Sequence, residues 1–243
     1  MKLLIKKLPK IPLSSPKCFA VFVDKNFKSE NLKSLRKNIK IEEPKNLNRF
    51  FETEDKKFIL RDINSTQKIL FIKLPNKFDQ LSVEKLGSSF FSFIKDNSIT
   101  EISLLQKIIK SSSISKENLL DHFFMGVFSK SYEFDIYKTK KINKKIFIFL
   151  EEDLIIEKIN NKFNALNEGL ILTKNLVSEP GNVLNPDEYV NRIKQLKKIG
   201  LKVSIFDKKK LKQLGMNALL GVGQGSIRGS YLAIIEWNGL KKT

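Results

Sequence analysis

Cysteine, histidine and tryptophan each occur once in the 243 residues. One cysteine, Cys18, excludes an internal disulfide, and one histidine, His122, excludes a histidine-rich metal site. No nucleophile signature neighbours His122, so no Ser-His-Asp triad is suggested. Cys18 heads the apolar run Cys18-Phe19-Ala20-Val21-Phe22-Val23 and reads as a buried structural thiol. His122 lies in an amphipathic stretch and reads as cover for a helix face. No apolar run approaches the ~18 residues of a membrane span. Lys6, Lys7 and Pro9 break the opening stretch before a signal-peptide core can form. These absences predict a soluble, reducing, cytoplasmic setting without a membrane partner.

Arginine is scarce too. It stands at 36, 49, 61, 192 and 228 only, so 40 of the 45 basic residues are lysines. The formal net charge of +19 raises nucleic acid as a partner. The lysines, however, are scattered along the whole chain, and groove readers favour arginine for bidentate contacts. The charge therefore reads as AT-rich codon bias on a solvated surface, with weak nucleic-acid binding at most. A hydrophobic content of 41% suffices for one large domain or two small ones.

Short apolar runs spaced by helical segments fill the first 150 residues. Strands are predicted at Leu3-Leu4-Ile5, Cys18–Val23, Phe58-Ile59-Leu60, Ile69–Ile72, Ile99–Leu105 and Ile146–Leu150. The runs at 58–60 and 69–72 form a pair, with the turn at Asn64-Ser65. A helix is expected over Leu81–Phe93, with Leu86 and Phe90 on one face and Ser82 as N-cap. Another begins at Ser115-Lys116-Glu117-Asn118. The alternation argues an α/β domain over 1–150, with a core of Phe19, Val21, Ile69, Phe71, Phe147 and Phe149. A long helix follows over 153–177, where Ile155, Ile159, Phe163, Leu166, Leu170, Thr173 and Val177 share one face. At 1.5 Å per residue it spans about 38 Å.

Pro180-Gly181 ends that helix, and Asn185-Pro186-Asp187-Glu188 starts the next, with Asn185 as cap and Glu188 as the capping-box acid. Tyr189, Ile193 and Leu196 are its expected buried face, and Gly200 its stop. A strand at Leu201–Ile205 and a short helix, Lys208–Leu214, lead to the stretch Gly215-Met216-Asn217-Ala218-Leu219-Leu220-Gly221-Val222-Gly223-Gln224-Gly225-Ser226. Its alternating glycines predict a tight loop, anchored by Ala218, Leu219, Leu220 and Val222 and lying close to another backbone or a ligand. The spacing is G-x-G-x-G rather than G-x-G-x-x-G, and no Gly-Lys-Ser/Thr follows, so neither nucleotide fingerprint is met. Tyr231–Trp237 is the last apolar strand.

This glycine stretch resembles a signature of the cytosol leucyl aminopeptidase family, di-metal enzymes that remove N-terminal residues from peptides. Asn175-Leu176-Val177-Ser178-Glu179-Pro180-Gly181-Asn182-Val183-Leu184-Asn185-Pro186 matches a second family block, in the same order and at the same separation. The similarity covers about 165–237, and Gly126–Lys138 matches more loosely. The resemblance implies a macro-like α/β N-terminal domain over 1–150, a linking helix over 151–178 and the incomplete start of an α/β aminopeptidase catalytic domain over 179–243. It also implies two divalent metals, manganese or zinc, a homohexamer, and peptide substrates in the full-length protein.

The family's metal-ligand blocks follow the strand that ends here near Trp237, so no ligand carries over. No catalytic, metal or cofactor-binding residue is expected within this chain, and the fragment is expected to be inactive alone. Thr173-Lys174-Asn175 stands where the family commonly has alanine-arginine-aspartate, which puts an arginine-mediated contact at 174 in doubt. Glu151-Glu152-Asp153 reads as acids at a helix N-terminus. Glu42-Glu43 lies in a polar loop, and neither acidic group offers the converging ligands of an oxygen site. Two other readings stay open. One is a non-enzymatic basic or macro-like module for nucleic acid or nucleotide. The other is a structural subunit that pairs with full-length protomers.

Overall fold

The computed structural model describes residues 2–7, 18–23, 56–74, 79–105, 116–139, 145–150 and 153–239; for 2, 7, 116–118 and 153–164 it describes the backbone alone. The acidic pairs Glu42-Glu43 and Glu151-Glu152, and Ser115, lie outside the described residues. The chain divides into two compact units, Met1–Leu172 and Thr173–Thr243.

The first unit is an α/β layer built on a six-stranded sheet. Its strands are β1 (Lys2–Lys7), β2 (Cys18–Val23), β3 (Phe58–Asp62), β4 (Lys68–Lys73), β5 (Glu101–Leu105) and β6 (Lys145–Leu150). They lie in the order β1-β6-β5-β2-β4-β3, all parallel to their neighbours except β3, which runs antiparallel to β4. Every residue of β2 is buried, as a central parallel strand covered on both faces requires. The β3–β4 hairpin turns where expected: the Asn64 carboxamide oxygen accepts from the backbone N–H of Thr66 and Gln67, both at 2.9 Å.

Two helices cover one sheet face, α1 (Gln80–Asp96) and α2 (Lys116–Ser131). Leu86 and Phe90 of α1 are buried with Leu119, Leu120, Phe123, Phe124 and Val127 of α2, against Ala20, Phe22, Leu70, Ile72, Ile102 and Ile148. The N-cap of α1 is Asp79, not Ser82. The Asp79 carboxylate accepts from Ser82 N–H at 2.8 Å, and the Ser82 hydroxyl lies 3.3 Å from the Asp79 N–H it serves in return. Ser82 is thus the third helical residue of a capping box, and the helix starts earlier than its apolar pattern.

The opposite sheet face buries Phe19, Val21, Val23, Ile59, Ile69, Phe71 and Leu105. Phe147 and Phe149 do not join that cluster. They are half-buried and stack on each other, ring centroids 6.2 Å apart, while Ile146, Ile148 and Leu150 are buried. β6 lies one strand from the sheet edge, and the Lys6 ammonium sits 4.8 Å over the Phe147 ring.

Helix α3 (Asp153–Ser178) matches the long periodic stretch. At its C-terminal end the apolar stripe is open to solvent: Leu166 is exposed, and Val177 is 81% exposed. The division between the compact units falls inside this helix.

The second unit contains α4 (Pro186–Gln195), a 3-10 turn (Leu196–Ile199), β7 (Lys202–Phe206), α5 (Lys208–Gln213), α6 (Asn217–Gly223) and β8 (Leu232–Glu236). β7 and β8 pair antiparallel. Gly200 takes the left-handed conformation, φ 91°, that closes the 3-10 turn, and Gly215, φ 70°, stands just past α5. Val190, Val203 and Leu211 are the buried apolar side chains of this unit among the described residues. Tyr189, expected inside, is exposed, and Val190 one position on is the buried residue. Among the described residues no helix is long and apolar enough to cross a membrane.

Candidate functional site

The polar chemistry of the second unit is concentrated around α4. The chain leaves α3 at Ser178, and the Pro180 carbonyl accepts from Val183 N–H and Leu184 N–H, both at 2.9 Å. That tight turn delivers Asn185, whose side chain caps α4 by accepting from Glu188 N–H at 3.2 Å. Pro186 fills the first helical position, where its missing N–H costs nothing. Glu188 does not close a capping box. Its carboxylate turns to Arg192 Nε at 3.0 Å, and the Asn185 N–H donates to the Val183 carbonyl instead.

Arg192 is the centre of this arrangement. Its two terminal nitrogens donate to the two oxygens of Glu179, each at 2.7 Å, as a fork-to-fork pair. The Glu179 side chain is only 4% exposed. The hydrogen bonds to Glu179, and then those to Glu188, push the guanidinium still further from deprotonation. The pair ties the end of α3 to the middle of α4. Glu188 and Arg192, four apart, are legible as helical neighbours. Glu179 is not, because the Pro180–Leu184 turn intervenes.

A second tie holds β8. Asp187 Oδ1 accepts from the Tyr231 hydroxyl at 2.8 Å and from Gly229 N–H at 3.2 Å, and Arg228 lies 3.5 Å from Oδ2. The Tyr231 hydrogen bond, with help from Gly229 and Arg228, holds the Asp187 carboxyl below its ordinary range. The same contact raises the Tyr231 phenol. The acid stays charged and the phenol stays protonated, as donor and acceptor require. The sequence carried no signal for this pair, which is 44 residues apart.

The glycine stretch is not a loop. Asn217–Gly223 is helix α6, and Gly221 and Gly223 lie inside it. The only positive-φ glycines among the described residues are Gly200 and Gly215. Ala218, Leu219 and Leu220 favour helix strongly enough to outweigh the interspersed glycines over a short span. Most of the expected apolar anchor is absent: Ala218 and Leu219 are exposed, Val222 is 88% exposed, and Leu220 is half-buried. One part of the expectation holds. The Ser230 hydroxyl occupies the space a Cβ at Gly223 would need, so this glycine does admit a close neighbour.

Cys18 and His122 have the structural placements read from sequence. Burial pushes the Cys18 thiol up to about 12. His122 Nδ1 lies 2.9 Å from Glu84 Oε1 and joins α2 to α1.

The acids of the second unit are all committed. Glu179 and Glu188 hold Arg192, Asp187 holds Tyr231 and Gly229, Asp207 caps α5 through Lys210 N–H at 2.9 Å, and Glu236 meets Lys202 at 2.6 Å. Apart from Glu179 and Glu188, which share Arg192, they are held by separate partners, where a two-metal centre needs carboxylates that converge. Among the described residues no group of three or more His, Cys, Asp or Glu could hold a metal ion. These residues do not fit such a centre.

Comparison with known proteins gives a consistent result. Residues 171–243 match the model of the cytosol aminopeptidase family, catalytic domain. A probable cytosol aminopeptidase of Phytoplasma mali (strain AT) is 45% identical over 126 residues, 49% of this chain and 25% of that protein. One of Brucella ovis is 34% identical over 185 residues, 72% of this chain and 36% of that protein. The chain thus spans between a quarter and somewhat over a third of these curated relatives. Among solved structures, a tomato leucine aminopeptidase mutant superposes with a TM-score of 0.72 at 17% identity, over 97% of this chain and 50% of that one. The bottromycin maturation enzyme BotP in complex with Mn gives 0.69 at 14% identity, over 92% and 46%. At such identities the two structures speak for the fold alone.

Proposed function

Because the chain belongs to the cytosol aminopeptidase family, we propose that it forms the N-terminal domain and the opening of the catalytic domain of a metal-dependent leucyl aminopeptidase. Residues 1–150 are the N-terminal domain, 151–178 the linking helix and 179–243 the start of the catalytic domain. In this reading the whole protein binds two divalent ions, manganese or zinc, assembles as a homohexamer and removes N-terminal residues from peptides in the cytoplasm. Residues 1–243 contribute scaffold to that site and no catalytic or metal-binding group.

The observation that carries this reading is the match of residues 171–243 to the family's catalytic-domain model, and the internal partners of the five carboxylates there support a scaffold role for this part. A two-metal peptidase activates water and polarises the scissile carbonyl through ions held by converging ligands. Enzymes lower their barriers by ~8–23 kcal/mol in general, and a chain without those ligands lacks the several kcal/mol that bound ions supply. The test is leucine-anilide hydrolysis by purified 1–243 with added manganese or zinc, with calorimetry for metal binding. No turnover and no tight site are expected. Chelator-sensitive turnover, or one high-affinity metal per chain, would overturn the assignment.

A further inference from the structure

We propose that the open edge of β3 binds an extended acidic segment of a partner protein. The segment alternates acidic and apolar residues and adds to the sheet as a further strand. This interaction surface goes beyond the peptidase reading and does not depend on it.

β3 ends the six-stranded sheet, and among the described residues β4 alone pairs with it. In an antiparallel pair, alternate residues turn their N–H and C=O to the partner strand. The Lys73 N–H donates to the Lys57 carbonyl at 2.9 Å, and the Ile63 N–H to the Gln67 carbonyl at 2.8 Å. In that register the backbones of Lys57, Ile59, Arg61 and Ile63 face β4, and those of Phe58, Leu60 and Asp62 face the open edge. The outward N–H and C=O groups repeat every ~6.8 Å, the spacing that an added strand completes. Phe58 and Leu60 pack on the α1 side, with the Phe58 ring 5.2 Å from that of Phe93. Lys57, Ile59 and Arg61 lie on the opposite side, where Ile59 is buried. A cavity of about 380 Å³ follows the strand, lined by residues 56–61 and Phe93. Lys56, Lys57 and Arg61 are its charged lining, and no acid among the described residues joins them. Asp62, one position further on, is met by Lys68 at 3.5 Å.

Charge selects the occupant. Lysine beside an edge strand ordinarily resists pairing with another copy, and a second copy of this edge would bring the same cations. An acidic strand meets them with the complementary sign. Nucleic acid fits less well, because phosphates only accept hydrogen bonds and offer nothing to the Phe58 and Leu60 carbonyls. Pairing across the edge places the partner's side chains on the same two sides in alternation. One set meets Phe58, Leu60 and Phe93, and the other meets Lys57 and Arg61. The fitting sequence is therefore apolar and acidic by turns.

The probe is an acetylated and amidated octapeptide alternating valine and glutamate, mixed with 1–243. With it, amides 58, 60 and 62 should exchange at least about tenfold more slowly, while 59 and 61 change little. A peptide of the same composition in two blocks, valines then glutamates, should bind more than about tenfold more weakly, because it keeps the charge and loses the alternation. Lys57→Glu combined with Arg61→Glu should weaken binding of the alternating peptide by a similar factor. Lys208→Glu combined with Lys209→Glu, exposed in the second unit, makes the same change in net charge and should leave binding unchanged. The exchange pattern and the block peptide need no variant, so they stand even if the paired substitution disturbs β3. Equal binding of the two peptides, or unchanged exchange at 58, 60 and 62, would overturn the proposal. So would a single-stranded thymidine oligonucleotide that binds more tightly and slows the same amides, or a homodimer of 1–243 that protects them.

Discussion

Gly87 and Gly126 allow α1 and α2 to touch backbone to backbone. A Cβ at Gly87 would collide with the Phe123 carbonyl, and one at Gly126 with the Glu84 carbonyl. The Ser88 hydroxyl donates to the Gly126 carbonyl at 3.1 Å across the same crossing. Because the obstacle is backbone rather than a flexible side chain, Gly87→Ala and Gly126→Ala should each destabilise the protein by about 3 kcal/mol. Gly169 in α3 has nothing within 4 Å of its Cβ position. Gly169→Ala should instead stabilise the helix by up to about 1 kcal/mol. Urea unfolding followed by circular dichroism separates the two cases; equal effects would show that the crossing is looser than described. The sequence does not mark the two glycines, because the backbone each one meets lies on another helix. Cys18 was legible for the opposite reason: alternate residues of its own apolar run, Ala20 and Phe22, lie in the core cluster with it.

At the scale of elements, the strands were legible wherever four to six apolar residues ran together, as in β2, β4 and β6. The Asn64 turn was legible because its chemistry is local. Caps and termini were less so. The helix α1 begins before its first buried residue, so periodicity pointed to Ser82 while the cap was Asp79. Alternating glycines outweighed Ala218-Leu219-Leu220 in the reading, yet the chain forms α6 there. The ties around α4 were illegible because their partners come from across a turn and from β8. They also make sharp predictions. Arg192→Lys keeps the charge but loses the fork to Glu179, leaving a buried carboxylate half-served, and should cost about 1–2 kcal/mol by urea unfolding. No loss would mean that the pair contributes nothing to the second unit. Asp187 has a depressed folded pKa, so its contribution is present above the unfolded value of 3.8 and is lost as pH falls through the folded value. Trp237 fluorescence should therefore report release of β8 in acid below about pH 4, and Asp187→Asn should show that released state already at neutral pH. An acid transition identical in the two proteins would contradict this.

Across the whole molecule, the two family blocks made the kinship readable from residues alone, while what those blocks do in three dimensions was not. The first supplies Glu179 and the Asn185 cap to the ties around α4, and the second forms the short helix α6. Charge is the other global property. With lysine spread over the surface, binding of duplex DNA should be weak, indifferent to sequence and lost between ~50 and ~200 mM salt. Anisotropy with two unrelated duplexes checks it, and sequence preference at the higher salt would restore the nucleic-acid reading. The lysine excess also changes how the Arg192 fork is to be viewed. Arginine codons AGA and AGG differ from lysine codons AAA and AAG by a single G-to-A change, the direction in which an AT-rich genome drifts. At most surface positions that exchange alters little, since either cation remains hydrated. At position 192 it breaks the fork whose two hydrogen bonds serve the nearly buried Glu179. The clamp is thus a place where drift in nucleotide composition would meet a physical penalty, set by guanidinium geometry rather than by charge.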